Sequence, residues 1–299
     1  MPAARRAELF DEALLARLQR LHLIAKRMAF RGRGGRRRSR GVGDGLEFAD
    51  HRSYAPGDDL RFIDWGYYAR MEKLLLRLFH RHSDAPVALL LDVSGSMAAP
   101  DDAKLTYALR TAAAMAYVAL GGLERVLLVP MSDRLHPALW TGRDRAEIPR
   151  VLDFLAAQDA GGTTDLLRCA EQFARAYGSA GTVLLLSDLC DCGPALAPAL
   201  GRLAVARRDV AAIHVFEPPR APAAEAGPAE LEHAETGERM QTVLTRELVR
   251  SLGERREAMR ASCRRACAAP GAVYVPAPTD LPFERLVLHS LRRAGVVGP

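Results

Sequence analysis

A chain of 299 residues, 49% hydrophobic and only 6% aromatic, has room for one large domain or two smaller ones packed mainly by aliphatic side chains. The formal charge is +6, but residues 1–40 carry 12 Arg or Lys against three acids, so that segment is +9 and the remainder −3. Basicity confined to one end argues against a nucleic-acid-binding surface spread over the molecule. No run approaches the roughly 20 apolar residues of a membrane span. Residues 1–10 lack the apolar core and cleavage site of a signal peptide. Five cysteines, an odd number, do not read as a secreted disulfide framework. A soluble, cytoplasmic protein is expected.

In chain order, Phe10, Leu14, Leu18, Leu21, Ile24 and Met28 recur at spacings of three and four, which predicts an amphipathic helix over 7–30. The basic segment follows, with Arg31, Arg33, Arg36, Arg37, Arg38 and Arg40 among glycines. Glycine freedom and like-charge repulsion both oppose regular structure there. Residues 45–54 read as a short strand, Pro56-Gly57-Asp58-Asp59 as a turn, and residues 73–82 as a strand or a helix. From Pro86 the pattern changes. Residues 87–91, 125–130, 182–187 and 209–216 are short apolar runs of the kind buried on both faces, with helices expected at 103–120, 144–157 and 165–177. Residues 229–245 read as a hairpin around Thr236-Gly237. A charged helix over 246–268, a last strand over 272–275 and a closing helix over 280–294 complete the chain. The expected fold class is α/β, a doubly wound, mostly parallel sheet of Rossmann type with a smaller N-terminal region. The expected domains are 1–44, 45–85 and 86–299, with the hairpin inserted near 229–245.

Open sheets of this class place ligands beyond the carboxyl ends of their strands. Three loops there carry oxygen donors. Asp92, Ser94 and Ser96 follow the first strand, Thr163-Thr164-Asp165 follows Gly161-Gly162, and Ser187-Asp188 ends the strand over 182–187. Two serines and a threonine offer neutral oxygens and the two aspartates offer charge, a set suited to a hard cation such as magnesium. The serines also suit helix N-caps and the aspartates loop caps. Thr163 and Thr164 are both open as the threonine donor.

This set resembles the metal-ion-dependent adhesion site of von Willebrand factor A domains: Asp-x-Ser-x-Ser, then a threonine in a glycine-containing loop, then an aspartate ending the next central strand. The resemblance implies Mg²⁺, or Ca²⁺ or Mn²⁺, held by Asp92, Ser94, Ser96, Thr164 (or Thr163) and Asp188, with a partner's acidic side chain completing the site. Upstream, Gly45-Leu46-Glu47-Phe48-Ala49-Asp50-His51-Arg52-Ser53-Tyr54-Ala55-Pro56-Gly57-Asp58-Asp59-Leu60-Arg61-Phe62-Ile63-Asp64-Trp65, then Ala69-Arg70, resembles the signature of the bacterial domain-of-unknown-function fifty-eight family. Gly66-Tyr67-Tyr68 departs from that pattern, while the Glu235-Thr236-Gly237-Glu238 turn resembles the family as well. The likeness implies an adaptor working with a MoxR-type AAA+ ATPase on client proteins. Bottom-up, Asp58, Asp59, Arg61, Asp64 and Arg70 could form one charged network holding the turn to the main domain, with Trp65 as buried anchor. Alternatively, Tyr54 to Arg70 is a partner-docking face.

No catalytic constellation is recognised, so no enzyme is expected. A magnesium-dependent phosphatase or phosphotransferase using Asp92 as nucleophile is the enzymatic alternative, weakened because Ser94 stands where a second aspartate is needed. A nucleic-acid-associated factor using the basic segment is the other, weakened by the lack of interleaved aromatics. Acids at Glu8, Asp11 and Glu12 disfavour membrane contact by the first helix. Cys190, Cys192, Cys263 and Cys267 lack common zinc spacings and read as packing.

Overall fold

The computed structural model describes residues 2–25, 29–30, 38–41, 47–82, 85–190, 192–205, 208–218 and 227–298. Two compact units divide the chain: residues 1–30 with 85–299, and residues 31–84. The N-terminal helices, set apart from the sheet in the sequence reading, thus belong to the unit that contains it.

The opening apolar stripe makes two helices, α1 (Pro2–Leu9) and α2 (Glu12–Ala25), rather than the single helix expected over 7–30. The break lies at Phe10 and Asp11. There the Asp11 carboxylate accepts the Leu14 amide at 2.6 Å and caps α2. Phe10, Leu14 and Leu18 are buried in the main core. Arg110 donates to the Leu9 carbonyl at 2.9 Å, and Arg17 pairs with Glu284, so polar contacts hold both helices to the unit as well. The chain is already extended at β1 (Ala29–Phe30).

The smaller unit contains β2 (Arg38–Gly41), β3 (Glu47–Ser53), α3 (Trp65–Met71) and β4 (Leu75–His82), the strands forming an antiparallel sheet in the order β2-β4-β3. Residues 73–82 therefore contain a strand, not a helix. The backbone of Arg38 and Arg40 is in a strand too, which corrects the expectation of irregular structure through Gly41. A ladder bonds through backbone groups, and β4 supplies the partner. Arg31, Arg33, Arg36 and Arg37 lie outside the described residues.

In the larger unit, β5 (Val87–Asp92), β6 (Val126–Met131), β7 (Leu139–Trp140), β8 (Thr182–Ser187), β9 (Asp209–Phe216) and, later in the chain, Val273–Pro278 form one six-stranded sheet. Between them run α4 (Gly95–Ala98), α5 (Ala103–Gly121), α6 (Ile148–Ala156), α7 (Leu166–Ala176) and α8 (Leu196–Leu203). A separate hairpin follows, β10 (Gly227–Glu232) and β11 (Arg239–Leu244), then α9 (Arg246–Ala268). The last strand of the sheet is β12, Val273–Pro278. The chain closes with α10 (Phe283–Arg285), a π-helical stretch over Leu286–Leu291, and β13 (Val297–Gly298), which pairs with β1.

The sheet order is β12-β9-β8-β5-β6-β7, and every pairing is parallel except that of β7. Strand alternation separates two cores. Val87, Leu89 and Leu91 of β5 face a layer with α2, α5 and α6, while Ala88 and Leu90 face α7, α8 and α9. Helices thus cover both faces, and the central strands are apolar throughout because neither face meets water. Chain order turns back at β5: β6 lies on one side of it and β8 on the other. Such a switch point opens a crevice at the carboxyl ends of the two diverging strands. Here those ends are Asp92 and Ser187.

Candidate functional site

The sequence places Asp92 at the end of a fully buried strand, and the structure keeps it there with no exposed surface. Its two oxygens are held by different loops. Oδ1 accepts the Ser94 amide at 3.0 Å, and Oδ2 accepts the Ser187 hydroxyl. The Ser187 oxygen in turn accepts the Leu189 amide at 2.9 Å. Leu189 sits at φ 52°, an uncommon backbone conformation for a branched side chain, and this bond helps to hold it. That turn directs Asp188 back over the end of β5.

Ser94 occupies the N-cap position of α4, yet its side chain makes no capping hydrogen bond. Its hydroxyl lies 3.1 Å from that of Ser96 instead, and Ser96 donates to Asp188 Oδ1 at 3.3 Å. Asp188 Oδ1 also accepts the Cys190 amide at 3.1 Å, and Oδ2 takes the Lys104 ammonium at 2.6 Å. Ser94, Ser96 and Asp188 are all buried. The N-cap alternative therefore fails for Ser94, while the loop-cap alternative holds for the aspartates, since Asp92 and Asp188 each accept the amide two residues on. Asp165 is exposed and accepts the Arg168 amide at the start of α7.

The glycine loop is pinned to the same place. Gly95 N–H donates to the Gly162 carbonyl at 2.9 Å, and Gly161 N–H donates to the Val93 carbonyl at 2.8 Å. Gly162 adopts φ 77°, the left-handed conformation that glycine takes without strain. Of the two threonines, Thr163 is exposed and Thr164 half-buried. The Thr164 hydroxyl donates to Glu235 Oε1 at 2.8 Å and its amide to Oε2 at 3.2 Å.

Burial, and then the neighbouring Asp188 carboxylate, push the Asp92 carboxyl up to about 6. Lys104 offsets part of the Asp188 charge. Among the described residues, no group of three or more His, Cys, Asp or Glu side chains converges on one point as a cage. The structure brings Asp92, Ser94, Ser96 and Asp188 together, two hydroxyls with two carboxylates, a donor set that fits a hard cation keeping part of its water. Those four could hold such an ion; Thr164 lies on the loop pinned beside them, and its own hydroxyl contact is with Glu235.

Lys104 is the residue of this site that the sequence does not announce: it lies on α5, outside the motif, and meets Asp188 only in the fold. Ser187 is read from sequence with Asp188 at the strand end, but its bond to Asp92 is not. Glu235 is visible in sequence only as part of the turn that resembles the family; its contact with Thr164 depends on the folding back of the hairpin.

In the smaller unit the expected single network resolves into local pairs. Arg52 meets Asp58 at 2.7 Å, Arg61 meets Asp59 at 2.7 Å, and His51 meets Asp64 at 2.9 Å. Asp58 also accepts the Ala55 amide at 2.8 Å, closing the turn, and Asp64 accepts the Tyr67 amide at 2.9 Å, capping α3. Those backbone bonds and pairings hold both carboxyls below the usual aspartate range. The Ala55 amide is the larger cause for Asp58 and the His51 ring for Asp64. Tyr54 is half-buried, and its amide donates to the Leu74 carbonyl; Arg70 is exposed on α3. Trp65 is not the buried anchor expected: it is 58% exposed and stacks edge-on against Tyr68. The buried contact belongs to Ile63, which bridges Leu76 of β4.

A family model described as protein of unknown function DUF58 matches residues 50–262, a span that includes Asp92, Thr164, Asp188 and Glu235. The chain belongs to the DUF58 family. Uncharacterized proteins of Mycobacterium bovis and Mycobacterium tuberculosis are 27% identical to this DUF58 chain over 241 residues, covering 79% of it and 75% of their own length. Among solved structures, the conserved hypothetical protein BatB from Bacteroides thetaiotaomicron is 12% identical, with a TM-score of 0.42 over 70% of this chain and 98% of its own. An aerotolerance-related membrane protein from Bacteroides fragilis is 14% identical, with a TM-score of 0.40 over 70% and 99%. Among the described residues of the DUF58 chain, no helix is long and apolar enough to cross a membrane.

Proposed function

We propose that this DUF58 chain carries a von Willebrand factor A-like domain that uses a divalent cation to recognise an acidic side chain of a protein partner. Asp92, Ser94, Ser96, Thr164 and Asp188 would hold the ion, Mg²⁺ by preference, with Ca²⁺ or Mn²⁺ as substitutes. When bound, the cation supplies an electrophilic contact for a carboxylate. The observation that carries the reading is the Ser94 hydroxyl. It forgoes the helix cap and joins Ser96 and Asp188 in a buried oxygen cluster at the sheet's switch point. The chain's own groups do the positioning. Ser187 and the Ser94 amide fix both Asp92 oxygens, and Lys104 moderates the charge of Asp188.

The same geometry disfavours Asp92 as the nucleophile of a phosphatase, since it is fully buried and both its oxygens are engaged. Recognition without catalysis suits an adaptor. By the resemblance of its signature segment, the partner proposed is a MoxR-type AAA+ ATPase, with client proteins remodelled or matured by the pair in the cytoplasm.

The test is complex formation between the purified chain and a MoxR-type ATPase encoded beside it. Binding is measured in Mg²⁺, in chelator, and with the Asp92→Ala/Ser94→Ala double variant, with folding verified by circular dichroism. The expected result is binding lost in chelator and in the variant. Binding unchanged in both removes the cation from this interface. The exposed Leu60, Trp65, Tyr68 and Met71 of the smaller unit then become the surface to mutate.

A further inference from the structure

Glu235 stands at the tip of the hairpin formed by β10 and β11, and its carboxylate grips both the amide and the hydroxyl of Thr164, at 3.2 and 2.8 Å. The tip is built to hold it there. The His233 ring accepts the Glu235 and Thr236 amides at 3.3 and 3.2 Å. His233 N–H donates to the Glu238 carbonyl at 2.7 Å, and Gly237 takes φ 71° to close the turn. The hairpin backbone also lies against the Asp92 loop. A Cβ added at Gly95 would stand 2.7 Å from the Ala234 carbonyl oxygen and 3.5 Å from Glu235 Cα. Two independent contacts, one through Thr164 and one through Gly95, therefore hold the hairpin tip against the glycine loop and the Asp92 loop.

The hairpin is a separate two-stranded sheet, outside the six-stranded one, and most of its residues are exposed. Its tip can therefore withdraw without breaking the central ladder. The two donors that Glu235 meets at Thr164 are neutral, the amide and the hydroxyl of one residue.

Resting on the divalent-cation reading above, we propose that Glu235, which the structure holds against Thr164 and not in a three-acid cluster with Asp92 and Asp188, is an internal carboxylate ligand that the site draws in with the cation. It takes the position that the partner's acid takes, so the partner binds by displacing the hairpin tip. The chain thereby carries its own competitor, and partners must supply an acid able to replace Glu235.

Mn²⁺ serves as the probe, with affinity and water-proton relaxation measured on the full chain. The proteins are the wild type, Glu235→Gln, Glu235→Asp and Asp92→Ala, each verified as folded by circular dichroism. Glu235→Gln is expected to weaken Mn²⁺ binding by about tenfold or more. It is also expected to raise the relaxivity of the bound ion, as water enters the vacated position. Added glutarate, a free dicarboxylate, should reverse that rise in Glu235→Gln and leave the wild type unaffected. Glu235→Asp, shorter but charged, should fall between. Equal affinity and relaxivity in wild type and Glu235→Gln would overturn the role of Glu235 while leaving the cation site standing. Wild-type binding no stronger than that of Asp92→Ala would overturn the cation reading itself.

Discussion

Gly95 is the tightest position at the site. Gly95→Ala drives a methyl group into the Ala234 carbonyl at 2.7 Å, so either the hairpin or the Asp92 loop must move. The expected cost is about 1–3 kcal/mol of stability, read from denaturant unfolding, with faster amide exchange at the hairpin tip. Gly161→Ala meets nothing within 4 Å and should be nearly silent. Equal effects at the two glycines would contradict the close approach. The cysteines give a second residue-level expectation. Burial pushes the Cys169 thiol up to about 12 and Cys267 up to about 11, and raises Cys192 and Cys263 as well. Only Cys190 is more than marginally exposed. A thiol reagent at pH 8 should label Cys190 in the native chain and all five cysteines after denaturation; native labelling of Cys263 or Cys267 would count against the packing described. Asp92, Ser94 and Ser96 were legible in the sequence because they are contiguous and follow an apolar strand. Trp65 was misread because size and aromaticity suggest a core position, whereas the Asp64 cap starts α3 in a direction that leaves the ring in solvent.

At the scale of elements, the N-terminal helices are structural parts of the sheet unit. Leu18, 1% exposed, packs in the main core, and Leu18→Ala should cost about 2–5 kcal/mol in one cooperative transition of that unit. A change confined to the helical signal, with the sheet's unfolding unmoved, would show instead that the helices are appended. In the smaller unit, Asp58 and Asp64 sit below their ordinary range in the fold. A lowered carboxyl contributes stability above its unfolded value near 3.8, and that contribution disappears as pH falls through the folded value. The Ala55 and Tyr67 amide resonances, whose N–H groups these carboxylates hold, should therefore titrate with midpoints below 3.8. Midpoints at or above that value would refute the pairing. Element boundaries were legible where pattern and caps agree, as for Arg246–Ala268, which starts at the Thr245 cap. They were obscure where a single capping residue overrides a continuous stripe, as Asp11 does. Neither α8, interrupted by Pro198 and Gly201, nor β2, within a basic run, announces itself locally; the first is decided by burial of Leu196, Ala199, Leu200 and Leu203, the second by its partner strand.

For the whole molecule, alternation of strands and helices was enough to anticipate a mostly parallel sheet, but not the order of its strands. The order matters because it puts the turn-back at β5 and β8 and so brings Asp92 beside Ser187 and Asp188, which are distant in sequence. The position of the hairpin tip against the Asp92 loop was not legible either, since among the described residues β10 and β11 pair only with each other and nothing in their own residues specifies where the tip rests. A cation bound to the folded state alone stabilises by mass action, about 2.7 kcal/mol at a hundredfold excess over Kd. Thermal unfolding should thus shift upward with Mg²⁺ in the wild type and stay fixed in Asp92→Ala/Ser94→Ala. The most direct test is calorimetric titration of Mg²⁺ into the wild type and into that folded double variant. The account predicts a saturable binding event in the wild type that is absent from the variant. Heats that are featureless in the wild type, or the same in both proteins, would contradict it.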